Sequence, residues 1–341
     1  MRVAVDVMGG DHGPGVVIAG VKRALRTPGH ERIEQLFLVG QKSEIEAALK
    51  AHDCSDRRLQ IVHASEVLTM EDKPIAGLRK KKDCSMARAV DLVKDGKADA
   101  VISLGNTGGL VAASTLKLRP LEGVDRPAIA TIIPTPNGSF VLLDAGANPE
   151  CKPIHLLQFA IMGRVYAREM LGVAQPRVGI LSNGTEEIKG NELTREALAL
   201  CQQVDLNFLG YVEGHTIFND TVDVVVTDGF VGNIVLKTCE GLGKGILQIL
   251  KRELTANPVR KLGALIAKEG FRSLKNTMDP EAHGGAPLLG LNGNVFKVHG
   301  SGRERVVANC ILQTVEAVSH HVHERIREEI ARAHEKLAVP A

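Results

Sequence analysis

The sequence predicts an α/β protein, a mostly parallel sheet flanked by helices in three α/β/α layers. Three observations carry this expectation. Near-continuous Val/Ile/Leu runs recur along the chain, as in strands covered on both faces. Segments of helical period separate them, which points to βαβ units. Several of the runs also end in loops of one composition, rich in Gly, Asn, Asp, Ser and Thr.

In chain order the expected strands are 2–7 (RVAVDV), 35–40 (QLFLVG), 59–64 (LQIVHA), 98–105 (ADAVISLG), 128–134 (AIATIIP), 139–146 (SFVLLDAG), 177–184 (RVGILSNG) and 222–229 (VDVVVTDG). The helices between them cover 15–26, 43–52, 85–94, 109–118, 154–171 and 192–202. Between about 241 and 285 the alternation breaks, and the composition reads as two helices. We therefore expect one catalytic α/β domain over 1–341, with 241–285 as a helical hairpin excursion for dimer or membrane contact.

The 341 residues are 44% hydrophobic and 24% charged, enough for a large core. A net charge of +2 gives no global pull toward nucleic acid, and the absence of Trp argues against a base-stacking platform. The six cysteines are scattered without metal-like spacing and read as reduced thiols, with no metal site expected. The chain opens directly on a strand, so no secretory leader is expected. No apolar run reaches the roughly 20 residues that cross a bilayer. A cytoplasmic protein that lies on a membrane fits these features.

In open parallel sheets, ligands sit outside the carboxyl ends of the strands. The loops VMGGDHG, SLGNTGG, LLDAGAN, LSNGTEE and VTDGFVGN are expected to share one such rim. In 103–118 a strand ends at Leu104, and Gly105, Asn106, Thr107, Gly108 and Gly109 open a helix. Backbone N–H groups and the helix N-terminus would cradle an anion there, with Asn106 and Thr107 capping the helix or joining the anion. The motif is not GxxxxGK[ST], and no GxGxxG follows the first strand, so neither a P-loop nor a dinucleotide site is supported and no cofactor is expected. Asp228, Gly229, Gly232 and Asn233 repeat the pattern, and Asp144 closes a third strand. Lys189 offers the rim a mobile positive charge. Gly9 and Gly10 let backbone approach a ligand that Asp11 and His12 would orient or deprotonate. Alternatively, Asp11 caps the helix near Gly15 and His12 is structural.

The excursion is amphipathic. At about 100° per residue, Val259, Leu262, Leu265, Ile266 and Leu274 fall on one arc, and Arg260, Lys261, Lys268, Arg272 and Lys275 on the other. Such a face rests on anionic lipid or packs on a sister subunit. The late run 320–337, with His320, His321, His323 and His334, reads as a solvated helix with paired charges.

Taken together, AVDVMGGDHGP, SLGNTGGL, LLDAGAN, TDGFVGN and HGSG (299–302) resemble the bacterial phosphate acyltransferase family of phospholipid synthesis, from Val3 to about Val318. The resemblance implies an isopropylmalate dehydrogenase-like fold, related to phosphotransacetylases. It implies transfer of a fatty acyl group from acyl carrier protein to inorganic phosphate, giving acyl phosphate for a membrane glycerol-3-phosphate acyltransferase. It also implies a homodimer at the membrane surface, with the basic excursion 257–275 facing anionic lipid, the acidic surface expected of acyl carrier protein, or the sister subunit. Lys189, Asn233 and His12 are then the expected catalytic residues, with Asn233 or a rim N–H holding the oxyanion. The alternatives are an acyl-CoA-using phosphotransacetylase and a decarboxylating dehydrogenase of the same fold.

Overall fold

The computed structural model describes residues 1–277 and 284–338; Lys275's side chain and residues 278–283 of the expected excursion lie outside it. The strands are β1 (Arg2–Asp6), β2 (Gln35–Gly40), β3 (Leu59–His63), β4 (Ala100–Ser103), β5 (Ala128–Ile129), β6 (Thr131–Pro134), β7 (Ser139–Leu143), β8 (Val178–Ser182), β9 (Phe208–Glu213), β10 (Val224–Val226), β11 (Ala286–Leu289) and β12 (Asn294–Lys297). The helices are α1 (Pro14–Ala24), α2 (Lys42–Ala51), α3 (Pro74–Lys80), α4 (Ser85–Lys94), α5 (Thr107–Leu118), α6 (Pro153–Leu171), α7 (Glu192–Cys201), α8 (Gly229–Leu254), α9 (Pro258–Ile266), α10 (Lys268–Thr277), α11 (Glu304–Ser319) and α12 (Val322–Ala338).

The α/β class is as the sequence predicts, with a mostly parallel pattern, but the strands divide between two sheets. The first runs β3-β2-β1-β4-β12-β11-β5 and the second β6-β7-β10-β8-β9. The expected strand 128–134 is the crossover. Ala130 donates to Pro287 O and ends the first-sheet pairing, and Thr131 then pairs with Leu142 in the second sheet. In the first sheet β11 is antiparallel to both β12 and β5. β5 therefore runs the same way as β4 and β12, toward their carboxyl ends. It delivers the chain to the carboxyl end of β7, so the carboxyl edges of the two sheets meet at this crossover.

One core cluster draws on both sheets, from Val3 and Val5 to Val178 and Val224, with Leu156, Phe159 and Tyr166 of α6 inside it. α6 is buried on most of its circumference, which its apolar sequence allows. Sequence periodicity missed β9, β11 and β12.

The excursion differs from the hairpin expected at 241–285. α8 begins at Gly229, on the rim itself, and runs for 26 residues, about 39 Å. α9 and α10 follow beyond its far end, with α9 in contact with both α8 and α10. No helix among the described residues is long and apolar enough to cross a membrane. The chain also turns at His320–His321, so the late histidines do not share one helix face.

Candidate active site

The loop after β1 is locked into place by its neighbours. A Cβ on Gly9 would lie 2.5 Å from the Gly105 nitrogen and 2.8 Å from Asp6 Oδ2, so only glycine lets the loops after β1 and β4 interlock. Asp11 N donates to Gly300 O (2.9 Å), and His12 Nε2 lies 3.2 Å from Ser301 O. A carbonyl only accepts, so Nε2 of His12 is the donor in this contact. Asp11 does not cap α1, whose first turn starts at Gly13 with no side-chain cap. HGSG, the loop after β12, is thus part of the same rim.

Several expected ligand contacts have structural work instead. Asn106 Oδ1 accepts from Gly109 N (2.9 Å), and Nδ2 donates to the carbonyls of Thr69, Met70 and Asp72. The side chain caps α5 and fastens segment 69–72, so its amide is not offered to an anion. Thr107 and Gly108 are exposed at the helix start, and Gly109 is buried against Leu68. Asp144 is fully buried, and its two oxygens accept from the N–H groups of Ile129, Gly146, Ala147 and Asn148 and from Asn148 Nδ2. Burial pushes its carboxyl upward against these bonds. We therefore assign Asp144 to holding the sheet crossover rather than to phosphate. Asp228 Oδ1 caps α8 by accepting from Phe230 N and Val231 N, both 2.9 Å. Gly229 and Gly232 are buried against Asn148 and the Asp144 backbone.

Asn233 stands one turn into α8, exposed, beside Gly146. Its side chain makes no hydrogen bond among the described residues. Lys189 lies in the loop after β8, its stem folded over Gly184. Its backbone N–H donates to Glu186 O (2.9 Å), and its ammonium makes no hydrogen bond or ion pair among the described residues. The structure thus gathers Gly9, Gly10, Asp11 and His12 with HGSG, and gathers Asp144, Asp228, Gly229, Gly232 and Asn233 around Gly146.

A bridge between these groups escaped the sequence reading. Lys237 of α8 reaches within 3.4 Å of His299 Nε2 and bonds Glu240 at 2.8 Å. His299 Nδ1 lies 2.8 Å from Ser301 Oγ. Burial, reinforced by the Lys237 ammonium, holds His299 below the usual histidine range. Beneath the rim, buried Asp6 accepts from Ser103 Oγ (2.7 Å), which itself accepts from Gly105 N (3.0 Å). Burial pushes the Asp6 carboxyl up. Lys297, at the end of β12, donates to Val298 O and has Asp6 and Asp11 as opposing charges. The available signal was a lone charge inside an apolar strand run, as in VAVDV and NVFKV.

Burial lowers the Lys297 ammonium from 10.5 to about 8. Between those values the unfolded chain binds more protons than the native one, so stability rises with pH. The contribution is complete above 10.5 and is lost as pH falls through about 8. Denaturant titrations across that window should show this rise in the wild type and its loss in Lys297→Met. Equal pH slopes would refute the assignment.

The exposed apolar side chains concentrate on the outgoing helices. Leu242, Ile246 and Ile249 on α8 are uncovered, as are Val259, Leu262, Leu265 and Ile266 on α9. Lys261 and Lys268 are exposed with them, and Arg260 and Arg272 pair with Glu253 and Glu269.

The chain matches the family described as "Fatty acid synthesis protein" over residues 1–325. It is 46% identical over 334 residues to the phosphate acyltransferase of Desulfitobacterium hafniense, covering 97% of this chain and 98% of that one. It is also 46% identical over 330 residues to the phosphate acyltransferase of Geobacter sulfurreducens, covering 97% and 94%. In fold it is similar to a phosphotransacetylase from Streptococcus pyogenes, with a TM-score of 0.64 at 16% identity over 94% of each chain. It is also similar to 4-hydroxythreonine-4-phosphate dehydrogenase from Klebsiella pneumoniae, with a TM-score of 0.51 at 12% identity over 93% and 99%. With nearly its whole length matched at that identity, the chain belongs to the fatty acid synthesis protein family, as a phosphate acyltransferase.

Proposed function

We propose that the enzyme transfers a fatty acyl group from the thioester of acyl carrier protein to inorganic phosphate. The observation that carries this reading is the meeting of two glycine-lined carboxyl edges, bridged by Lys237 and His299, beside the unengaged amide of Asn233. Phosphate binds at the rim, with Lys189 as its mobile countercharge. A phosphate oxygen attacks the thioester carbonyl carbon, and Asn233 donates to the oxyanion that forms. The carbon–sulfur bond then breaks, and the thiolate leaves as the acyl phosphate forms. His12, held at the rim against Ser301 O, takes the phosphate proton. A thiol of pKa about 8.5 leaves with little acid assistance.

This route needs no enzyme nucleophile, and the cysteines offer none at neutral pH. Burial raises all six thiols, with Cys151, Cys201 and Cys310 pushed up to about 12. The test is incubation with palmitoyl-acyl carrier protein and labelled phosphate, followed by detection of acid-labile acyl phosphate. Palmitoyl-CoA in parallel separates the phosphotransacetylase alternative, since a preference for it would overturn the donor assignment. Titration with NAD addresses the dehydrogenase alternative.

The product serves a membrane glycerol-3-phosphate acyltransferase, and the uncovered face of α8 and α9 supports cytoplasmic work at a lipid surface, as a homodimer. Leu262 is 60% exposed and Ile266 81%, too apolar a tip to stand in water without a purpose. Leu262→Glu/Ile266→Glu should abolish flotation with anionic liposomes while leaving soluble turnover unchanged. Undiminished flotation would count against the lipid contact.

A further inference from the structure

We propose that segment 69–82, including α3, is the surface on which the acidic carrier of the acyl thioester docks. The proposal rests on the donor assignment above and adds where that donor binds. The sequence here, TMEDKPIAGLRKKK, ends in a dense basic run. Lys81 is turned inward to Asp72 and to Val67 O. Lys73, Arg79, Lys80 and Lys82 are exposed, and none has an ion pair or side-chain hydrogen bond among the described residues. On α9 and α10 Arg260 and Arg272 pair with glutamates, and exposed Lys261 and Lys268 are spread along two helices rather than set in one run.

The basic run is attached to the active-site rim by its own backbone. The three hydrogen bonds from Asn106 Nδ2 hold the carbonyls of Thr69, Met70 and Asp72. Pro74, the first residue of α3, packs on Gly108, and the Met70 methyl lies over Gly300 of the HGSG loop. α3 has seven residues and spans about 10 Å, so its basic end stands roughly that far from the rim. Ile75 and Arg79 are one turn apart on the same exposed face, and Met70 and Ile75 are large apolar side chains left open. A patch with unpaired cations around exposed apolar side chains fits an acidic protein surface. A carrier seated there could pass its tethered thioester along the strap to the rim. The positive charges steer its approach, and the apolar side chains give contact area. A lipid surface is less well matched, because the open apolar area here is small beside that on α8 and α9.

Binding of fluorescently labelled palmitoyl-acyl carrier protein, followed by anisotropy, reads docking apart from chemistry. Arg79→Glu/Lys80→Glu/Lys82→Glu should weaken binding about tenfold or more, with the glutamine triple variant intermediate and the difference shrinking at high salt. In turnover, KM for the carrier thioester should rise while kcat and the activity on palmitoyl-CoA stay unchanged. Liposome flotation should not change. Unaltered carrier binding in the triple variant would overturn the proposal, and so would the same loss produced instead by Lys261→Glu/Lys268→Glu. Binding that depends on 79–82 without any acyl phosphate formed would leave the docking surface standing and refute the donor reaction.

Discussion

Asn233→Ala is expected to lower kcat by about 10²–10³-fold while leaving fold and stability intact, the usual cost of removing one oxyanion donor. The side chain is exposed on α8 and makes no hydrogen bond among the described residues, so its removal breaks none, and alanine keeps the Cβ that stands beside Gly146. Asn233→Asp should be at least as impaired, because a carboxylate offers no donor and repels the developing charge. Lys189→Met tests the phosphate countercharge separately. It should raise the KM for phosphate more than it lowers kcat, and Lys189→Arg should restore much of the loss because it keeps the charge. Steady-state kinetics with varied phosphate distinguish these outcomes. Near-normal turnover in Asn233→Ala would refute its role, and an unchanged phosphate KM in Lys189→Met would do the same for the lysine.

Gly232→Ala should be the most damaging small substitution in the rim. Alanine ordinarily favours a helix by about 1 kcal/mol over glycine. Here the added Cβ would stand 1.9 Å from the Asp144 carbonyl oxygen, a backbone atom that cannot rotate away. Asp144 is itself pinned by the N–H groups of Ile129, Gly146, Ala147 and Asn148. Moving α8 outward would break the junction of the two sheets. The expected loss is about 3 kcal/mol, at the upper end for overpacking, with a fall of several degrees in Tm. Gly241 and Gly245, farther along the same helix, have open space where a Cβ would go. Alanine at either should hold or raise Tm by helix propensity alone. Thermal melts of the three variants check the contrast, and equal effects would show that the close approach at Gly232 is not limiting.

These two cases separate what the chain's pattern reveals from what it conceals. The α/β class was legible because Val/Ile/Leu runs and helical periods are local signals, and α4 matches its expected span residue for residue. The rim composition was legible as well. The role of each rim residue was not. Asn106, Asp144 and Asp228 look like ligand residues in sequence, yet each spends its oxygens on nearby backbone N–H groups, since short polar side chains cap helices and turns as readily as they bind anions. Lys237 carried no local signal, Lys297 only that of a lone charge in an apolar run, and His299 only its place in HGSG, because their roles come from charges brought close by other elements.

By itself the sequence determined the layered α/β class, the glycine-rich strand ends, the amphipathic tip and the family resemblance, all of which depend on residue type and short spacing. Only the tertiary structure decided that the strands split between two sheets at Ala130, that their carboxyl edges meet, and which polar side chains remain free for a ligand. The physical reason is that a hydrogen bond or a buried charge is a property of pairs far apart in the chain. Asp6 and Ser103 are 97 residues apart, and His12 and Ser301 are 289 apart.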